Sequence, residues 1–79
     1  MKPTASLAEV QPGTKACICN ISKVSAVVLR RLIDFGIMEG TEICMKRACP
    51  FGGPLTLESN GQCIGIRRSE ACMIEVQVV

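Results

Sequence analysis

One segment, residues 31–41 with the sequence RLIDFGIMEGT, constrains the fold of this chain more than any other part of it. Its apolar residues recur at helical spacing until Gly36, and helices commonly end where a glycine adopts a left-handed conformation. Gly40 marks a second turn, and a strand-like stretch of alternating residues follows it. The segment therefore predicts a helix that ends abruptly, reverses direction and leads directly into β-structure.

The predicted helix has a recognisable boundary at each end. Ser22 or Ser25 can act as the N-cap, because a serine hydroxyl accepts a hydrogen bond from an otherwise unpaired backbone N–H. Gly36 is expected at the C′ position, with Ile37 folding back onto Leu32 as the usual hydrophobic contact of that cap. The apolar face is expected to hold Val28, Leu29, Leu32, Ile33 and Phe35, and the opposite face Arg30, Arg31 and Asp34.

Alternating residues predict five short strands, over residues 15–21, 42–48, 55–59, 62–67 and 73–79. The alternation of the first strand is ambiguous, because both of its faces are apolar. Asn60-Gly61 predicts a type I′ hairpin turn, which needs positive φ at both central residues. The residues expected to face the interior are Ala16, Ile18, Ile43, Met45, Leu55, Leu57, Ile64, Ile66, Ile74, Val76 and Val78.

Three connecting segments complete the predicted order of elements. Residues 7–13 are expected to form a short docking segment that ends in the turn Pro12-Gly13. Residues 50–54, with the sequence PFGGP, suit a loop, because neither a helix nor a strand accommodates them. Residues 68–72 predict a single helical or 3-10 turn.

These elements predict a mainly β fold. We expect a small SH3-like β-barrel of about five strands, with one α-helix inserted after the first strand and a short 3-10 or helical turn before the last. Closing the sheet would hide strand edges that invite aggregation. The 79 residues suffice for one domain, in which residues 1–5 are expected to be a loose tail.

Composition narrows the cellular location and the partners. The N-terminus has no apolar h-region, and the longest apolar run, residues 26–29, is far shorter than the roughly 20 residues of a membrane span. We therefore expect a cytoplasmic protein without direct membrane insertion, whose cysteines are reduced. A net charge of +2 is too small to indicate nucleic acid or a membrane surface as the partner.

A series of short motifs runs along nearly the whole chain: Leu7, Gly13, residues 31–37, Gly40-Thr41, residues 47–50, 51–54, 66–71 and 74–76. In these motifs the sequence resembles the FeoA-type ferrous iron transport proteins. The resemblance implies a small cytosolic accessory protein of bacterial ferrous iron uptake, which is not an enzyme. It also implies protein–protein interaction with the cytosolic G-protein and spacer domains of the FeoB-type transporter. The same module occurs at the C-terminus of some metal-dependent transcriptional repressors.

The six cysteines are not required by this resemblance, and four of them are candidate metal ligands. Cys17 and Cys19 share one face of a strand with about 7 Å between their backbones, and Cys44 and Cys49 bracket another strand. The chain has no Cys-x-x-Cys motif and no histidine, whereas structural zinc normally has four closely spaced ligands. We expect packed thiols and no required cofactor. Weak binding of Fe or Zn would support the alternative function, a metal-responsive regulatory domain that binds metal through cysteines or carboxylates.

Five residues are candidates for contact with a protein partner: Arg30, Arg31, Arg47, Arg67 and Phe51. The basic residues also fit an ordinary solvated face, and Arg67 or Arg68 could pair with Glu70. Without histidine the chain lacks the usual general base, and we expect no catalysis. Two Phe, without Tyr or Trp, argue against proline-rich peptides and single-stranded nucleic acid. A nucleic-acid-binding barrel is a third hypothesis, and we expect no nucleic acid.

Overall fold

A single antiparallel sheet of six strands forms the centre of the computed structural model, which describes residues 4–79. The helical elements are a 3-10 helix (Leu7–Glu9), α1 (Ala26–Asp34) and α2 (Arg68–Ala71). The strands are β1 (Thr4–Ser6), β2 (Lys15–Asn20), β3 (Glu42–Ala48), β4 (Leu55–Ser59), β5 (Gln62–Ile66) and β6 (Glu75–Val78). Across the sheet they lie in the order β1-β6-β2-β3-β4-β5. This arrangement confirms the mainly β, SH3-like fold with one inserted helix and a helical turn before the last strand.

Strand β1 corrects the expectation of a loose tail at residues 1–5. Thr4 and Ala5 lie within this strand, which pairs with β6 in the register Ala5↔Val76. The short sequence Thr-Ala-Ser lacks an apolar alternation, so its place in the sheet depends on a partner at the other end of the chain. Residues 1–3 of the expected tail lie outside the described residues.

The sheet is an open barrel, whereas the sequence predicted a closed one. Within residues 4–79, β1 and β5 end the strand order and do not pair with each other. Instead, α1, its C-cap Phe35, α2 and β5 line a narrow apolar cleft beside the β5 edge. The helices therefore occupy part of the space beside the β5 edge, where β1 would lie if the barrel were closed.

The hydrophobic core lies on the inner face of the sheet. Of the eleven residues expected to face inward, ten are buried, and Val78 is the exception with 42% exposure. Val78 is at the last position of β6, opposite the small Ala16, where the core ends. Leu7 and Val10 of the predicted docking segment are also buried, at 0% and 6% exposure. Residues 7–10 therefore contribute to the core from outside the sheet.

Helix α1 has the caps that the sequence predicts. Ser25 accepts a hydrogen bond through Oγ from the Val28 N–H at 3.3 Å. Gly36 has φ 79°, and its N–H donates to the Ile33 carbonyl at 2.9 Å. The Ile37 N–H donates to the Leu32 carbonyl at 2.8 Å. These two bonds are the pair that defines the Schellman motif, so the C-cap prediction is confirmed.

The apolar face of α1 is narrower than predicted. Val28 and Leu32 are buried, but Ile33 and Phe35 are 47% and 41% exposed. Successive helical residues differ by about 100° around the axis, which turns Ile33 away from the stripe of Val28 and Leu32. Phe35 is the C-cap residue and lies at the cleft beside β5, where solvent still reaches its ring.

Candidate partner-binding surface at the β3–β4 hairpin

The tip of the β3–β4 hairpin is a tight turn closed by two backbone hydrogen bonds. The Cys49 N–H donates to the Pro54 carbonyl at 3.1 Å, and the Gly53 N–H donates to the Pro50 carbonyl at 3.2 Å. Between them, Phe51 has φ 59° and Gly52 has φ 76°. Both central residues of this turn are therefore left-handed, as in a type I′ turn.

Gly53 lies too close to Cys49 and Pro50 to carry a side chain. A Cβ atom added at Gly53 would lie 2.7 Å from the Cβ of Cys49 and 3.3 Å from the carbonyl oxygen of Pro50. The first distance is well inside van der Waals contact, so any larger residue would displace the backbone. The turn thus presents Phe51 from a tightly packed base.

Phe51 occupies an unfavourable backbone conformation without gaining burial. Its side chain is fully exposed, at 103% of the reference area. Left-handed backbone costs an L-residue roughly 1–2 kcal/mol, because the Cβ crowds the following carbonyl oxygen. Neither the strain nor the exposure is offset by packing of the ring. Residues of this kind are concentrated at functional sites, which makes Phe51 a candidate for contact with a partner.

Arg68 joins the base of the hairpin to two other elements through backbone carbonyls. Its Nη2 donates to the Cys49 carbonyl at 3.0 Å, and its Nη1 donates to the Ala8 carbonyl at 3.5 Å. The Nε is buried and has no hydrogen-bond partner within the described chain. No carboxylate of residues 4–79 forms an ion pair with this guanidinium. Arg68 therefore brings an unneutralised positive charge to the base of the turn.

A shallow concavity of about 430 Å³ lies beside the turn. Arg67, on its rim, is exposed and forms no ion pair with any residue from 4 to 79. None of the residues that line the concavity is acidic. We call the concavity together with Phe51 the hairpin surface; its lining residues are Gly52, Pro54, Arg67, Arg68 and Ser69.

The two candidate arginines of α1 are already engaged within the chain. Arg30 pairs with Asp34 at 3.5 Å on the solvent face. Arg31 Nη1 lies 3.1 Å from Glu70 Oε2, and this contact joins α1 to α2. The sequence suggested that Arg67 or Arg68 would pair with Glu70, but Glu70 instead binds Arg31. Its Oε1 accepts a hydrogen bond from the backbone N–H of Arg67 at 3.2 Å.

Arg47 lies on the strand that leads into the hairpin. It is exposed at a β-bulge of β3, opposite Thr56, and forms no ion pair with residues 4–79. The structure thus places Phe51 and Arg67 at the hairpin surface, with Arg47 on the approach to it and Arg30 and Arg31 on the helix. Their roles in partner binding stay predictions. Arg68 was not among the candidates, since its carbonyl partners are distant in the sequence.

The cysteines make mainly local contacts. The thiols of Cys17, Cys19 and Cys44 approach the carbonyls of Ile18, Cys17 and Met45 at 3.9, 3.7 and 3.9 Å. All six cysteines are free. Within residues 4–79, no group of three or more Cys, Asp or Glu side chains is arranged to hold a metal ion. Cys49 belongs to the hairpin base, where its backbone groups bind Pro54 and Arg68.

The environment of Cys19 favours its neutral thiol form. Partial burial raises the pKa of Cys19 above its ordinary value, and the neighbouring Cys17, Glu75 and Glu39 raise it further. A thiolate is the form that binds metals and attacks electrophiles. Cys19 is therefore less suited to either role than a fully hydrated thiol.

No helix within residues 4–79 has the length and hydropathy needed to cross a lipid bilayer.

Comparison with known proteins identifies related sequences and folds. The FeoA domain family matches residues 5–78. The FeoA-like protein of Clostridium acetobutylicum is 34% identical with a TM-score of 0.82, over 100% of this chain and 91% of that one. Iron(II) transport protein A of Clostridium thermocellum is 32% identical with a TM-score of 0.84, over 94% of this chain and 45% of that one.

A manganese-dependent transcriptional repressor shares the fold alone. It is 18% identical with a TM-score of 0.88, and the match covers 100% of this chain and 44% of the repressor chain. No curated protein matches the sequence.

Proposed function

The chain belongs to the FeoA domain family, and from this premise we propose that it is a small cytosolic accessory protein of bacterial ferrous iron uptake. It binds the cytosolic part of the FeoB-type transporter and acts through this contact, not as an enzyme. The observation that carries the proposal is the family match over residues 5–78. The 32% identity to an iron(II) transport protein supports it.

The mechanism is complementarity between two folded surfaces. The chain offers a fixed turn with an exposed aromatic ring, and beside it stand basic side chains that have no carboxylate partner within residues 4–79. Apolar anchors supply most of the affinity of such contacts, while charges at the rim guide encounter and orientation. The contact itself requires no bound metal or cofactor.

A calorimetric titration against the transporter's isolated cytosolic domains tests the proposal. The domains are taken from the same genome, in nucleotide-free and GTP-analogue-bound forms. We expect saturable binding to at least one form, weaker at high salt because the basic residues contribute. Circular dichroism of the same sample shows that the chain is folded. A folded chain that binds neither form would contradict the proposal.

The same titration separates accessory binding from metal-responsive regulation. We expect the same affinity in anaerobic buffer with chelator, with Fe²⁺ and with Zn²⁺. The raised pKa of Cys19, which favours the neutral thiol over the metal-binding thiolate, supports this expectation. An affinity that appears only with one metal, together with stoichiometric metal in the purified chain, would favour the regulatory function instead.

A further inference from the structure

The hairpin surface combines two features that folding alone does not explain. One is the exposed ring of Phe51 on left-handed backbone. The other is the pair of guanidinium groups of Arg67 and Arg68, which have no carboxylate partner within residues 4–79. They are adjacent, because Gly52 follows Phe51 in the chain and lines the same concavity as both arginines.

We propose that the hairpin surface docks an acidic segment of the partner protein, in which carboxylates lie next to an apolar side chain. The inference rests on the proposed function and deepens it, since it names the contacting surface and the chemistry of its partner. Phe51 packs on the apolar side chain. Arg67 binds the carboxylates, and the positive charge of Arg68 beside it attracts them.

Charge complementarity argues for carboxylates. The lining residues include two arginines and no acid. The nearest acid in the sequence, Glu70, is occupied by Arg31 and by the Arg67 N–H. Arg68 is partly buried with an unpaired Nε, and burying an uncompensated charge is unfavourable. A partner carboxylate bound beside Arg68 supplies the missing counter-charge, and the exposed, planar guanidinium of Arg67 suits the two oxygens of that carboxylate.

The aromatic ring argues for a protein segment over a phosphate or nucleic acid. A free phosphate gains nothing from an exposed phenyl ring. The backbone N–H of Gly53, which could bind an anion in another turn, already donates to Pro50. Nucleic acid would need successive stacking platforms. Phe51 is isolated, however, since Phe35, the other aromatic residue, lines the cleft beside β5.

Two variants remove one feature each without disturbing the core. Phe51→Gly deletes the ring and suits the left-handed backbone. Arg67→Gln removes a charge from an exposed side chain that forms no ion pair within residues 4–79. Against the transporter's cytosolic domains, we expect Phe51→Gly to weaken binding about tenfold, the size typical of a central anchor. We expect Arg67→Gln to weaken binding about threefold and to reduce its salt dependence.

Two control variants remove an apolar side chain or a positive charge at positions away from the hairpin surface. Val27→Ser removes an exposed apolar side chain from α1, and Lys23→Gln removes a positive charge from the loop before it. Both controls should bind within twofold of the wild type. If the wild type binds but Phe51→Gly and Arg67→Gln bind equally well, the hairpin surface is not the docking site, whereas the proposed function stands.

A peptide titration followed by NMR tests the chemistry independently of the transporter. The probes are an acetylated peptide of sequence EDLED, its basic counterpart KKLKK, a single-stranded oligonucleotide and inorganic phosphate. We expect EDLED alone to shift the amide signals of Phe51, Gly52 and Ser69, and Phe51→Gly to abolish the shifts. Equal shifts with phosphate or the oligonucleotide, shifts confined to α1, or no shifts at all would overturn the proposal.

Discussion

The end of helix α1 and the tip of the β3–β4 hairpin both require left-handed backbone, but different residue types adopt that conformation in the two places. At the helix end, Gly36 adopts φ 79° without steric cost, and the next residue, Ile37, is 1% exposed. At the hairpin tip, Phe51 adopts φ 59° with its ring in solvent. The first region follows the rules that stabilise a fold, and the second departs from them. Such departures are expected where a protein binds or reacts.

The largest expected difference between the two regions lies in their apolar side chains. Ile37→Ala should lower the free energy of unfolding by about 2–5 kcal/mol, because it leaves a cavity under the helix cap. Phe51→Ala should change it by no more than about 0.5 kcal/mol, because the Phe51 side chain is fully exposed. Urea unfolding monitored by circular dichroism measures both. A comparable loss for both variants would show that Phe51 is structural.

The next largest expected effect is the loss of stability when a Cβ atom is added at Gly53, at the base of the turn. Gly53→Ala should destabilise the chain by about 1–3 kcal/mol through overpacking against Cys49. Gly65→Ala is a suitable control, because an added Cβ there would meet no atom within 4 Å. If the two variants have the same melting temperature, the turn is less closely packed than its geometry indicates.

Substitution of Gly36, the glycine of the helix cap, is expected to have a smaller effect on the free energy of unfolding. Gly36→Ala should cost about 1–2 kcal/mol from left-handed strain alone, because no atom would obstruct the added Cβ. Phe51→Gly, the reverse exchange, should raise the free energy of unfolding by about 0.5–1 kcal/mol. A thermal melt with no loss for Gly36→Ala would contradict the cap assignment.

The smallest expected effect concerns Cys19. Its raised pKa means that the folded state holds the thiol proton more tightly than the unfolded state does. This contribution to stability is present below the unfolded pKa and is lost as pH rises through the folded pKa. At pH 8, iodoacetamide should therefore modify Cys19 more slowly in the native protein than in urea, as followed by peptide mass spectrometry. Equal rates would show that the fold does not perturb this thiol.

Features set by neighbouring residues could be predicted from the sequence. The Ser25 cap, the Gly36 cap and the Asn60-Gly61 turn each depend on a few consecutive positions, and the structure contains all three. Strand faces also follow from a two-residue period. The family resemblance is likewise confirmed, with a match over residues 5–78.

Features set by distant residues could not be predicted. Strand β1 has a short polar sequence, and only its pairing with β6 identifies it. The exposure of Val78 depends on where the core ends, which periodicity does not reveal. The partners of Arg68 are carbonyls 19 and 60 residues away. The left-handed conformation of Phe51 could not be predicted either, although its turn is local, because sequence rules assign that conformation to glycine or asparagine.

The affinity of Phe51→Gly for the transporter's cytosolic domains tests the central claim most directly. The account predicts about tenfold weaker binding by a chain that is at least as stable as the wild type, because the ring serves recognition and not folding. Unchanged affinity in the folded variant would contradict it.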